Sequence, residues 1–126
     1  MIKKRSSIKS KADKLFSSFI RSIGYCEWCL KQTDGLECAH IFSRRFLITR
    51  WDPINALSLC HACHRKWHDK PVEAVEWVKV YLGYDVYNEL RYKAKCQVDK
   101  FIYDDLIEKI QGYRHCPQEI IPPISS

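Results

Sequence analysis

Two Cys-x-x-Cys pairs, Cys26-Glu-Trp-Cys29 and Cys60-His-Ala-Cys63, are separated by thirty residues and constrain this chain more than any other feature. A tight turn puts both sulfurs of each pair on one side of the backbone, and the segment between is long enough to bring the pairs together. Four thiolates so gathered can close a tetrahedral shell around one Zn2+. A shell of four sulfurs has no open position for water or substrate, so the expected zinc is structural. Chemistry must then come from residues that the zinc holds in place.

The chain has 126 residues, enough for a single small domain whose core is only just sufficient by itself. A metal staple worth on the order of 10 kcal/mol would rival the whole ~5–15 kcal/mol margin of such a domain. Seven cysteines and a start of Met1-Ile-Lys-Lys-Arg with no apolar run behind it fit reduced thiols and metal ligands in a cytoplasmic protein. No apolar stretch is long enough to span a bilayer, so no membrane partner is expected. Cys96 and Cys116 lie outside the module and are read as free thiols. The net charge of +6 favours a polyanionic partner such as nucleic acid.

The segment from Lys3 to Lys14 holds six Lys or Arg and little that packs, and residues 1–12 read as a solvated basic arm able to touch phosphates. Residues 13–24 carry Leu15/Phe16, Phe19/Ile20 and Ile23 at helical spacing, with Gly24 as the stop. The central module spans 25–70. Trp28 is read as packing between the knuckle ligands. Residues 36–42 suit a first strand, on which period two puts Cys38, His40 and Phe42 on one face. Residues 43–54 form an Arg-rich loop closed by Asp52-Pro53, residues 56–59 a second strand, and a helix starts near Cys60 or His61. On that helix His64 and His68 lie one turn apart and share a face, so both can bind one metal ion. Residues 71–112 read as a helical extension, with Pro71 at a first helical position and Gly83 as a break. It continues as helices over 85–95 and 98–110, and 113–126 form a tail.

The order His40, Asn55, His64, woven through two Cys-x-x-Cys pairs, resembles the HNH endonuclease family over about Tyr25 to Pro71. The most specific parts are Ala39-His-Ile-Phe-Ser-Arg-Arg45, Arg50-Trp-Asp-Pro-Ile-Asn-Ala56 and Leu59-Cys-His-Ala-Cys-His64. The resemblance implies an α+β fold, a small treble-clef-like ββα-metal zinc module flanked by an N-terminal helix and about three C-terminal helices. It also implies hydrolysis of DNA phosphodiester bonds, as in small stand-alone members carried by phages and mobile elements. His40 would face the metal and act as general base, Asn55 would fix the loop, and His64 and His68 would hold a catalytic Mg2+, Mn2+, Ni2+ or Zn2+. Ala39 stands where many members carry Asp or His as a further ligand. Either waters and substrate oxygen complete the shell, or another residue does so, Cys38 being nearby. Arg44, Arg45 and Arg50 are candidates for gripping the DNA backbone, since guanidinium groups bind phosphate bidentately. The alternative is a non-catalytic zinc-stabilised module that binds nucleic acid.

Overall fold

A two-stranded antiparallel sheet divides the molecule into two apolar clusters. The structure, a computed structural model, describes residues 3–96 and 100–115. Its elements are helix α1 (Lys3–Arg21), strand β1 (Leu36–His40), a short α2 (Leu47–Arg50), a 3-10 turn (Pro53–Asn55), strand β2 (Ala56–Cys60), and helices α3 (His61–Asp69), α4 (Pro71–Leu82), α5 (Tyr84–Lys95) and α6 (Leu106–Gln111). The strands pair with Leu36 opposite Cys60 and His40 opposite Ala56. Alternation along them sends Cys38, His40 and Ala56 toward α1 and α6. Ala39, Leu57 and Leu59 face the other way, into a cluster with Val78 of α4 and Tyr87 of α5.

The expectation of a solvated arm over 1–12 is corrected by α1, which runs from Lys3. Ile8 and Ala12 extend the stripe of Leu15, Phe16, Phe19 and Ile20, and this stripe packs on Trp51, Ala56, Leu106 and Ile110. Two apolar residues at the right spacing suffice to recruit a Lys-rich turn into a helix anchored further along. The Arg-rich segment also contains helical turns, α2 and the 3-10 turn, where an unbroken loop was expected. Asp52 caps the second of these by accepting from the Ile54 N–H at 2.9 Å. The last helix begins only at Leu106; residues 100–105 are not helical, and 97–99 lie outside the described residues, as do Cys116 and the tail after it. The break after α4 rests on Gly83, whose φ of 91° favours glycine. Among the described residues no helix is long and apolar enough to cross a membrane.

Candidate metal centre and histidine cluster

Cys26 and Cys29 leave the turn after α1, while Cys60 ends β2 and Cys63 lies in the first turn of α3. Their four sulfurs lie within 4.8 Å of one another. The Cys29 and Cys60 sulfurs are 3.8 Å apart, equal to the edge of about 3.8 Å of a tetrahedron with metal–sulfur bonds near 2.3 Å. Backbone N–H groups of Cys29 and Cys63 point at the Cys26 and Cys60 sulfurs, both at 3.5 Å. Cys60 thereby serves as N-cap of α3, where the helix dipole favours negative sulfur. Burial opposes ionisation of Cys26, yet backbone hydrogen bonds outweigh it and bring that thiol down to about 7. Cys63 moves upward, through burial and the neighbouring sulfurs. Four crowded thiols with opposed tendencies are a donor set that a dication would reconcile, and all four expected zinc ligands are together.

The knuckle is fastened to its surroundings through the residues between its ligands. Glu27 exchanges backbone contact with Ser58, its N–H donating to the Ser58 carbonyl at 2.8 Å while its carboxylate accepts from the Ser58 N–H at 2.7 Å. The same carboxylate accepts from the Tyr81 hydroxyl of α4 at 2.5 Å. Trp28 stacks on Trp77 with centroids 4.8 Å apart, and the Lys66 ammonium lies 4.6 Å from the Trp28 ring centre.

A second cluster forms where β1 meets α3. Glu37 accepts from His64 Nδ1 at 2.7 Å and from His61 Nδ1 at 3.1 Å. These bonds hold its carboxyl below the usual range. With Nδ1 bonded to Glu37, the other ring nitrogen of His64 is Nε2, and it lies 3.2 Å from His68 Nε2. Two nitrogens at that separation, each about 2.05 Å from one ion, subtend about 100° at it, within the range of tetrahedral and octahedral sites. Among the described residues, the four cysteines are the only group of three or more metal-ligating side chains brought within reach of one ion.

His40 has partners of its own. It lies on the α1 side of β1, its ring 5.7 Å from Phe16, and its Nε2–H donates to the Arg50 carbonyl at 2.9 Å. Burial lowers its pKa below 6.5, the carbonyl opposes this, and the charges of Arg44 and Arg50 add to the lowering. Alternate residues of a strand face opposite ways, so the residue of β1 that bonds His64 is Glu37, while the contacts of His40 are to Phe16 and the Arg50 carbonyl. Cys38 sits on the His40 side, outside the four-sulfur group, and burial raises its thiol to about 11.

Asn55 is fully buried and ties the interstrand segment together. Its Oδ1 accepts from Phe42 N–H at 2.8 Å, and Nδ2 donates to the carbonyls of Phe42 at 3.1 Å and Thr49 at 3.0 Å. Arg50 is already engaged: Nη2 and Nε meet the Asp13 carboxylate at 2.6 and 3.1 Å, and Trp51 Nε1 donates to the same carboxylate at 2.9 Å. Arg44 lies 3.6 Å from Asp13 and is exposed, and Arg45 covers the Phe46 ring. Of the three arginines expected to grip phosphate, Arg50 is therefore committed to holding α1. Glu37 and Asp13 were not among the residues expected at the site. Period two on β1 offered a signal for Glu37, since it shares a face with Ala39; Asp13 offered only its isolation as an acid among lysines.

The fold and the site define a small α+β protein with a four-cysteine candidate metal centre and an adjoining Glu/His cluster. Compared with known proteins, the chain matches no family model, no curated protein and no solved structure.

Proposed function

We propose that this protein is a metal-dependent endonuclease of the HNH type that hydrolyses DNA phosphodiester bonds. The observation that carries the reading is the pairing of His64 Nε2 and His68 Nε2 at 3.2 Å, with Glu37 fixing the His64 tautomer from behind. A divalent ion bound there would neutralise charge developing on the phosphate and on the departing 3′ oxygen. His40 supplies the base. Its Nε2–H is occupied by the Arg50 carbonyl, so Nδ1 carries the lone pair, and its lowered pKa keeps it neutral at pH 7. In this reading Nδ1 takes the proton of the attacking water, and Asn55 holds the segment that carries the Arg50 carbonyl. The four cysteines hold structural zinc.

One observation favours a second reading. His40 belongs to a different face of β1 from the Glu37/His64/His68 group, which suits a zinc-stabilised module that binds nucleic acid without cutting it. Plasmid nicking with added Mg2+, Mn2+, Ni2+ or Zn2+ separates the two. Cleavage by the wild type, with near-total loss in His40→Ala and in His64→Ala and DNA binding retained in both, is the expected result. Activity undiminished in either variant refutes the role given to that histidine, and no cleavage by the wild type with any of these ions leaves the binding module.

A further inference from the structure

We propose that the outward stripe of α1 is a docking surface for the phosphate backbone of a nucleic-acid duplex. The inference is independent of cleavage, and it moves the principal contact away from the arginine-rich segment.

It begins with where the charge lies. Helix α1 holds seven of the 21 Lys and Arg residues and one of the 15 Asp and Glu residues, a net of +6. The other fourteen basic and fourteen acidic residues cancel, so the whole net charge of the protein resides on this helix. Its sole acid, Asp13, is turned to Arg50, Arg44 and Trp51. No acidic residue occupies the first turn of α1.

The arrangement on the helix is equally one-sided. Ser7, Lys11, Lys14, Ser18 and Arg21 recur at intervals of three and four and are all exposed, opposite the packed stripe of Ala12, Phe16 and Ile20. Among the described residues none of Lys11, Lys14 and Arg21 has an acidic partner within salt-bridge distance. Arg21 is steadied by Nε donating to Ser17 Oγ at 3.2 Å. The serines add hydroxyl donors and are short enough to let a phosphate chain approach the helix closely.

Two features select the partner. A basic amphipathic helix binds membranes by inserting its apolar face, but here that face is spent on the core, with Phe16 only 1% exposed. Single strands are held by aromatic platforms, but Phe16 and Phe19 of α1 point toward the core and the stripe carries no aromatic residue. What remains is a cationic rail about 21 Å long from Ser7 to Arg21, suited to the regularly spaced phosphates of a duplex. Because the inner side of α1 packs on His40 through Phe16 and on the Arg50 segment through Asp13, a duplex lying on this rail is held in fixed register to that part of the protein.

The test is equilibrium binding of a labelled DNA duplex of arbitrary sequence, by fluorescence anisotropy over a series of salt concentrations without added divalent ion. The Lys11→Gln/Lys14→Gln/Arg21→Gln protein is compared with wild type and with Lys70→Gln/Arg91→Gln/Lys95→Gln, a variant of equal net charge altered at exposed positions elsewhere, with circular dichroism confirming helix content. For three phosphate contacts the slope of log K against log salt becomes shallower by about 2.7, and affinity at 0.1 M salt falls on the order of a hundredfold. The control stays near wild type. Equal weakening in the control, or an unchanged slope in the α1 variant, overturns the proposal. So does tighter binding to the corresponding single strand, or to phosphatidylserine-containing vesicles, than to the duplex.

Discussion

Replacing Asn55 by alanine tests how the segment between the strands is held. The side chain is fully buried and makes three hydrogen bonds, all to backbone groups: the N–H and carbonyl of Phe42, and the carbonyl of Thr49. Alanine leaves all three without this partner. Each such bond contributes about 1 kcal/mol net, and a buried group left unpaired costs about 1–3 kcal/mol. The small cavity adds roughly 1 kcal/mol. With some water reaching Phe42, the loss is about 3–4 kcal/mol, or roughly 10–15 °C in Tm for a chain of this size. Urea unfolding of zinc-loaded protein, followed by tryptophan fluorescence, measures it. Asn55→Asp sharpens the test. It keeps an acceptor for Phe42 N–H but turns a carboxylate toward two carbonyl oxygens, so at neutral pH it should lose at least as much as alanine. It should recover partly in acid, when a protonated carboxyl can donate again. A loss below about 1 kcal/mol in both variants would refute the reasoning.

Three further outcomes are expected. Cys29→Ser, or zinc withdrawal by a chelator, should abolish stoichiometric zinc and most of the cooperative unfolding transition, a loss on the order of 10 kcal/mol; wild type that unfolds identically with and without metal contradicts the four-sulfur site. Asp13→Asn should cost about 2 kcal/mol by leaving Arg50 without its carboxylate. Burial works against Asp13, but Arg50, Trp51 and Arg44 outweigh it and hold its pKa below 3.8. Its contribution is therefore complete above pH 3.8 and is lost as pH falls through the lower folded value, so the variant should lack this share of acid sensitivity in urea midpoints. His40, depressed chiefly by burial, should titrate by NMR with a midpoint below 6.5. Its contribution to stability is then full above 6.5 and declines as pH drops toward the folded value. A midpoint at or above 6.5 means that the ring is not buried as described.

Much of the frame was legible in the residues themselves. The two Cys-x-x-Cys pairs announced their own convergence, since ligand spacing is a local property. Helix α4 was marked by Pro71 at its start and Gly83 at its end, both of which act through their own backbone. What stayed hidden depended on contacts between distant segments. Whether Lys3 to Ala12 is helical turns on Ile8 and Ala12 finding a core built by Trp51, Leu106 and Ile110, and no local pattern says that such a core will be there. The late start of α6 has the same origin: residues 100–105 carry helix-compatible side chains, yet Phe101 and Tyr103 turn instead to the Trp51 ring. Period two puts Cys38 and His40 on one face of β1 and Glu37 on the other, and it is Glu37 that bonds His64 of α3. That consequence emerges only when the side covered by each helix is known.

Glu27 gives the thiolate cage a mechanical reach beyond its own ligands. It lies between Cys26 and Trp28, is laced to both backbone polar groups of Ser58, and receives the hydroxyl of Tyr81. Any slackening at the first knuckle must tug on the middle of β2 and the far end of α4 together. Metal content should therefore be readable at a distance, in amide exchange at Ser58 and in the environment of Tyr81. A protein stripped of its ion would come apart along that rivet before its two apolar clusters let go.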